Sequence, residues 1–308
     1  MNGIDSESLP VRMASDREQL LMRFVQAARR LRQRSDPAAA HDVRVALRQL
    51  EATLDLWRTF LPRRPRRRAA RSMSELRRVL GPVGEARMNV NLLEQRLSSL
   101  SPADRAIALE IARHARRRLE KIEKRSTALC ARRRVKRLRA LYEDVWPACG
   151  SKWDPGSTWF QHACDRIDLR RAQAGEALRE GSVLETEGAL HAARVAVKRW
   201  RYASERLGAV APTADASTRD WLKSVQRTLG RICDLRVLKA NILRWAEKHG
   251  PSDAEPTKPV PWGGLLEGLE AERLECIEEL RRLLAAQRLT PGPVLALPSP
   301  AAGKRPDR

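Results

Sequence analysis

Two stretches of this 308-residue chain place a histidine and basic side chains in the same order: HDVRVALRQL at 41–50 and HAARVAVKRW at 191–200. His41, Arg44, Val45 and Ala46 recur as His191, Arg194, Val195 and Ala196, and Arg48 recurs as Lys198. Donors at i, i+3 and i+7 fall along one side of a helix, which rises about 1.5 Å per residue. Such a row offers successive cationic groups to an extended anion. Arginine contributes a planar fork, lysine a compact charge, and histidine a donor whose protonation a nearby phosphate favours. In the second copy the row continues through Arg201 and Tyr202, with Arg199 beside it. The chemistry on offer is binding. No nucleophile–base pair, P-loop or acidic metal cluster accompanies the motif, and neither histidine has a second His or Cys one turn away. No catalytic residue, metal or cofactor is expected.

Turning about 100° per residue, Val43, Ala46, Leu47, Leu50, Leu54 and Trp57 gather on a face separate from the basic row. Ala193, Ala196, Val197, Trp200 and Leu207 do the same in the second copy. Each motif helix therefore has one face for a core and another for donors. Acids share the donor faces: Asp55 in the first copy and Glu205 in the second, the latter at i, i+4 from Arg201.

A second correspondence lies at nearly the same offset. Arg78, Leu80, Gly81, Glu85 and Arg87 match Arg227, Leu229, Gly230, Asp234 and Arg236, so Arg78, Arg87, Arg227 and Arg236 are subsidiary binding candidates. Two matches at nearly the same spacing indicate a duplicated unit of about 150 residues.

The rest of the chain must position these rows. It is rich in Leu, Ala, Arg and Glu, poor in alternating β-branched runs, and holds eight Trp, two Tyr and three Phe, which predicts helix throughout. Turn chemistry breaks it at 35–37, 61–65, 101–102, 147–157, 181–182, 208–217 and 250–264. The expected layout is a flexible 1–15, a helical half over 16–146, a linker at 147–157, a second half over 158–289 and a disordered tail over 290–308. Asp36-Pro37 and the capping box Ser182-x-x-Glu185 each precede a motif helix.

A net charge of +22 on a chain that is 42% hydrophobic describes a folding protein with a polyanionic partner, not a basic tail. DNA, RNA, an anionic membrane surface and polyphosphate all answer to that charge. The dense runs from Arg63 to Arg71 and from Arg132 to Arg139 lack the motif spacing and extend the positive field. His114, His162 and His249 have no repeat partner. Five scattered cysteines without C-x-x-C spacing read as reduced thiols. No secretory signal and no run of about 20 apolar residues is present, so a cytoplasmic protein that spans no membrane is expected.

The motifs His41-x-x-Arg44-Val-Ala-x-Arg48 and His191-x-x-Arg194-Val-Ala-x-Lys198-Arg199-x-Arg201-Tyr202-x-x-Glu205, with the Leu-Gly-x-x-x-acid elements at 80–85 and 229–234, resemble the CHAD family, the conserved-histidine α-helical domain. The resemblance spans roughly Asp16 to Leu289. It implies an all-α fold of two four-helix bundles related by a pseudo-twofold, with the motif helices lining a basic central groove or pore that binds inorganic polyphosphate. It also implies association with polyphosphate granules and their proteins. Gln49 and Glu51 stand where the second copy has Arg199 and Arg201, so the C-terminal motif is the better furnished. Nothing before Asp16 resembles the alternating Glu motif of the CYTH domain fused to some members, so a standalone member is expected.

Nucleic acid is the alternative partner. Single-strand binders set aromatic platforms beside basic groups, whereas Trp57 and Trp200 map to the core side, and no helix-turn-helix, RNP or zinc-finger pattern stands out.

Overall fold

The apolar stripes of these helices need partners, and the computed structural model shows which they find. It describes residues 8–33, 38–146, 159–179, 186–210, 216–249 and 262–286, all in helices or the short turns between them. Among the described residues the helices are α1 (Ser8–Gln33), α2 (Ala39–Leu56), α3 (Arg63–Arg96), α4 (Pro102–Leu129), α5 (Arg132–Glu143), α6 (Trp159–Arg179), α7 (Glu187–Val210), α8 (Ala216–His249) and α9 (Gly263–Ala286). Among these residues no helix is long and apolar enough to cross a membrane.

Local chemistry explains several of the boundaries. Pro62, extended at ψ 129°, precedes α3 at the turn expected there. Ser101 Oγ accepts the Asp104 amide at 3.1 Å and donates to its carboxylate at 2.7 Å, a reciprocal cap at the head of α4. At the head of α7, Thr186 Oγ1 accepts the Ala189 amide at 3.1 Å and caps the helix. Ser182 and Glu185 lie outside the described residues, as do Asp36 and Pro37, the linker at 147–157 and the tail at 290–308. α1 already begins at Ser8, inside the stretch expected to be flexible. The turn at Cys130-Ala131, which divides α4 from α5 without proline or glycine, is a boundary the sequence reading did not anticipate.

Consecutive helices pack on one another, α1 on α2, α2 on α3 and α3 on α4, and again α6 on α7, α7 on α8 and α8 on α9. Across the two halves α2 meets α7, α3 meets α8 and α4 meets α9. Among the described residues two hydrophobic clusters result, and both draw on residues either side of 147–157. The larger joins Phe24, Leu47, Leu50, Trp57, Met73, Leu138, Trp200 and Leu229, while the smaller joins Leu93 of α3, Ala108 and Ile111 of α4, Leu238 and Ile242 of α8, and Leu269 of α9.

The apolar faces expected of the motif helices are the buried ones. Val43, Leu47, Leu50, Ala193 and Val197 are fully enclosed, and Trp57 and Trp200 are each only 2% exposed. Burying a side chain of this size contributes about 1.5–3 kcal/mol. Trp57 packs against Trp159 at 5.8 Å and Trp200 against Trp221 at 5.7 Å, tilted geometries that favour aromatic pairs. With these faces fixed inward, the opposite faces of α2 and α7 are committed to the basic rows.

Candidate polyanion-binding site

Because α2 packs on α7, the two basic rows meet. Arg44 feels the charges of Arg48 on its own helix, of Arg194 on α7 and of Arg77 on α3. Lys198 feels Arg194 on its own helix and Arg48 and Arg44 from α2. Four motif cations thus converge where the rows face each other, and Arg77 joins them. The acids that act on these cations are Asp234 of α8 and Glu51 of α2.

The electrostatics report the strain of this gathering. Burial first, then Arg194, Arg48 and Arg44, pulls the Lys198 ammonium down to about 7 from 10.5, with Asp234 opposing. Burial and its cationic neighbours lower Arg44 to about 10, well below the ordinary guanidinium range. His41 is lowered too, by desolvation and then by Arg44, against the pull of Asp42. Burial also raises Asp234 and Glu51 despite the cations beside them. Desolvation therefore outweighs pairing for both signs of charge, and among the described residues the acids acting on this cluster, Asp234 and Glu51, are fewer than its cations.

Glycines let the two arginines lie close to the helices behind them. A Cβ on Gly84 would overlap Nη1 of Arg44, so Arg44 rests directly on α3. Arg194 lies over Gly230 of α8, its Nη2 and Nε 3.8 and 3.9 Å from where a Cβ would stand. It pairs with Asp234 at 3.4 Å, and its Nε, like that of Arg44, is buried without a hydrogen-bond partner.

The other expected residues divide. His191 and Arg199 are exposed, and Arg199 acts on Glu51 across the seam. Arg201 pairs with Glu205 at 3.3 Å, as the i, i+4 spacing predicts, and lies 4.5 Å over the ring of Tyr202. Tyr202 itself is only 5% exposed, so it supports Arg201 from beneath instead of facing the row. Arg87 is engaged by Glu123 of α4. Arg78 and Arg227 are exposed, and neither is among the charges acting most on Arg44 or Lys198. Arg236 is half-buried beside Glu85, Lys239 and Glu270, away from the seam.

Three arginines were missed. Arg77 pairs with Glu51 at 3.5 Å and enters the cluster, but the repeat sets Gln226 opposite it, so the matching favoured its neighbour Arg78. Arg166 and Arg170 of α6 both grip Asp55, the latter at 2.7 Å, which takes Asp55 away from its own helix. Their i, i+4 spacing was the available signal. Among the described residues no group of three or more His, Cys, Asp or Glu is placed to hold a metal ion.

The described residues form an all-helical fold of the class in which the cations of two His/Arg helices act on one another. The CHAD domain model matches residues 18–243, and the chain belongs to that family. Its fold is similar to the crystal structure of the CHAD domain from the plant Ricinus communis, with TM-score 0.66, 20% identity and 92% of each chain covered. It is also similar to PptA from Streptomyces chartreusis, with TM-score 0.59 and 18% identity over 89% of this chain and 97% of that one. No curated protein matches.

Proposed function

We propose that this chain binds inorganic polyphosphate in a basic groove where α2 and α7 meet, as a non-enzymatic member of its family associated with cytoplasmic polyphosphate granules. The two halves are taken as copies of one unit, each supplying a His-x-x-Arg-x-x-x-Arg/Lys row. One observation carries the reading: Arg44, Arg48, Arg194 and Lys198 crowd together under enough desolvation to hold Lys198 near neutrality. Like charges gathered at this cost are stabilised by a dense anion that reaches all four at once. A linear phosphate chain meets that requirement with charge on every unit. The aromatic groups nearby do not point to nucleic acid, since Trp57 and Trp200 are enclosed in the core and offer no stacking platform.

Titrating long-chain polyphosphate, duplex DNA, single-stranded DNA and heparin into the protein at roughly 0.15 M salt tests the reading. Polyphosphate binds tightest, and its affinity falls steeply with salt as counterions are released. DNA binding of equal strength overturns the choice of ligand.

A further inference from the structure

The dense basic run at the start of α3 lies outside the seam, and its placement against α2 gives it a role. Contacts between the two helices occur in opposite order along the chain. Arg44 rests on Gly84, Glu51 pairs with Arg77 at 3.5 Å, and Arg58, just past the end of α2, acts on Arg66. The helices therefore lie side by side in opposite directions, and both lead from the seam toward Arg58 and Arg66. On α2, Arg44, Arg48, Glu51 and Asp55 follow one another at steps of three or four residues, which keeps them on one face. On α3, turning about 100° per residue, Arg63, Arg66, Arg67 and Arg77 share a face with Gly84. Between Arg77 and Arg67 that face carries the small side chains of Ala70 and Ser74, the latter exposed.

Cations outnumber the acid they meet at the far end of this path. Burial first, then Arg58, Arg67 and Arg63, holds the Arg66 guanidinium below its ordinary range, with Asp55 opposing. Asp55 has little to spare for it, since its two oxygens are already held by Arg166 and Arg170 of α6. Arg58, Arg63 and Arg67 stand exposed around this point. The arrangement repeats in outline what the seam shows: arginines from more than one helix gathered about a carboxylate that is already engaged.

We infer that Arg58, Arg63, Arg66 and Arg67 form a second station for the polyphosphate chain held at the seam, so that chains long enough to reach both are selected over short ones. This rests on the function proposed above. The ten residues from Arg77 to Arg67 span about 15 Å along α3, which a bound chain must bridge. Once the seam is occupied, contact with the second station is intramolecular, and affinity rises with no change at the seam itself. A short oligophosphate reaches one station and gains nothing from the other.

Calorimetric titration of tripolyphosphate and of long-chain polyphosphate into the full chain, at roughly 0.15 M salt, tests this. The variant is Arg63→Ala/Arg67→Ala, at two exposed positions away from the core. Its long-chain affinity falls about tenfold, with a slope of log affinity against log salt shallower by about one to two units. Tripolyphosphate, held at the seam, binds as it does to the parent. Lys136→Ala/Arg137→Ala removes the same charge from exposed positions on α5 and changes long-chain affinity less than about twofold, because salt screens charges that make no contact. Equal losses from the two double variants assign the effect to the long-range field and overturn the station. Long-chain affinity left intact by Arg63→Ala/Arg67→Ala overturns it as well. Lys198→Glu tests the seam separately and weakens both ligands. If it affects neither, the seam fails as the site and the two-station path fails with it.

Discussion

The guanidinium of Arg44 occupies the space that a Cβ on Gly84 would fill, so α2 lays its motif arginine directly on the backbone of α3. Gly84→Ala therefore displaces one arginine from the seam without touching the core. The overlap is with the tip of a flexible side chain, and alanine favours a helix interior over glycine by about 0.5–1 kcal/mol. Thermal unfolding is expected at or slightly above the parent temperature, while polyphosphate affinity falls on the order of tenfold, the value of one charge-assisted contact.

Lys198 makes binding depend on pH. In the free protein its folded-state value, about 7, lies below the ordinary 10.5, because of burial and then of Arg194, Arg48 and Arg44, with Asp234 opposing. Between these values the unfolded chain holds more protons than the folded one, so the penalty from Lys198 is full below about 7 and fades as pH rises toward 10.5. A bound polyanion restores the proton. Affinity is then expected to fall as pH rises above neutrality, by up to about tenfold per unit, with proton uptake visible as a buffer-dependent heat in calorimetry. Lys198→Arg flattens this dependence.

The two rows are unequal at two matched positions, where Gln49 and Glu51 stand for Arg199 and Arg201. Glu51 is held by Arg77 and acts against Arg48 and Arg199. Glu51→Arg releases Arg77 and adds a cation. The expected result is several-fold tighter polyphosphate binding, with a slope of log affinity against log salt steeper by about one unit per added phosphate contact. A lower melting temperature accompanies it, from added repulsion.

Asp55 clamps α6 to α2. Burial raises its carboxyl, but the hydrogen bonds and the positive charges of Arg166 and Arg170 together hold it below the usual range. Asp55→Ala strands two arginines that are only 12% and 13% exposed. With Asp55 itself 30% exposed, solvent screening reduces the expected loss to about 1–2 kcal/mol in denaturant unfolding. Since its folded value is lowered, the clamp's stabilisation is present above pH 3.8 and is lost as pH falls further.

Much of this was legible because hydrophobic period and a recurring motif act on individual helices. The wheel placed Leu47, Leu50, Trp57, Val197 and Trp200 in the core, and the structure buries each of them. What spacing does not encode is which helix a face meets. The meeting of Arg44 with Arg194 and Lys198 depends on α2 packing against α7, some 150 residues away, and no i, i+4 relation carries it. Tyr202 shows the same limit at closer range. Its position on the wheel put it with the basic row, but Arg201 folds over its ring and the neighbouring packing encloses it. Arg77 escaped because its counterpart is Gln226, so a reading keyed to repeats passed over it.

The proposed polyphosphate site on the paired α2/α7 face is tested most directly by the polyphosphate affinity of the charge-reversal variant Arg194→Glu/Lys198→Glu, at fixed salt and with folding verified by circular dichroism. A folded variant that loses at least a hundredfold in affinity is the expected result, since two charge-assisted contacts at about 1.5 kcal/mol or more each become repulsive. A folded variant that binds as the parent does would place the site elsewhere on the protein.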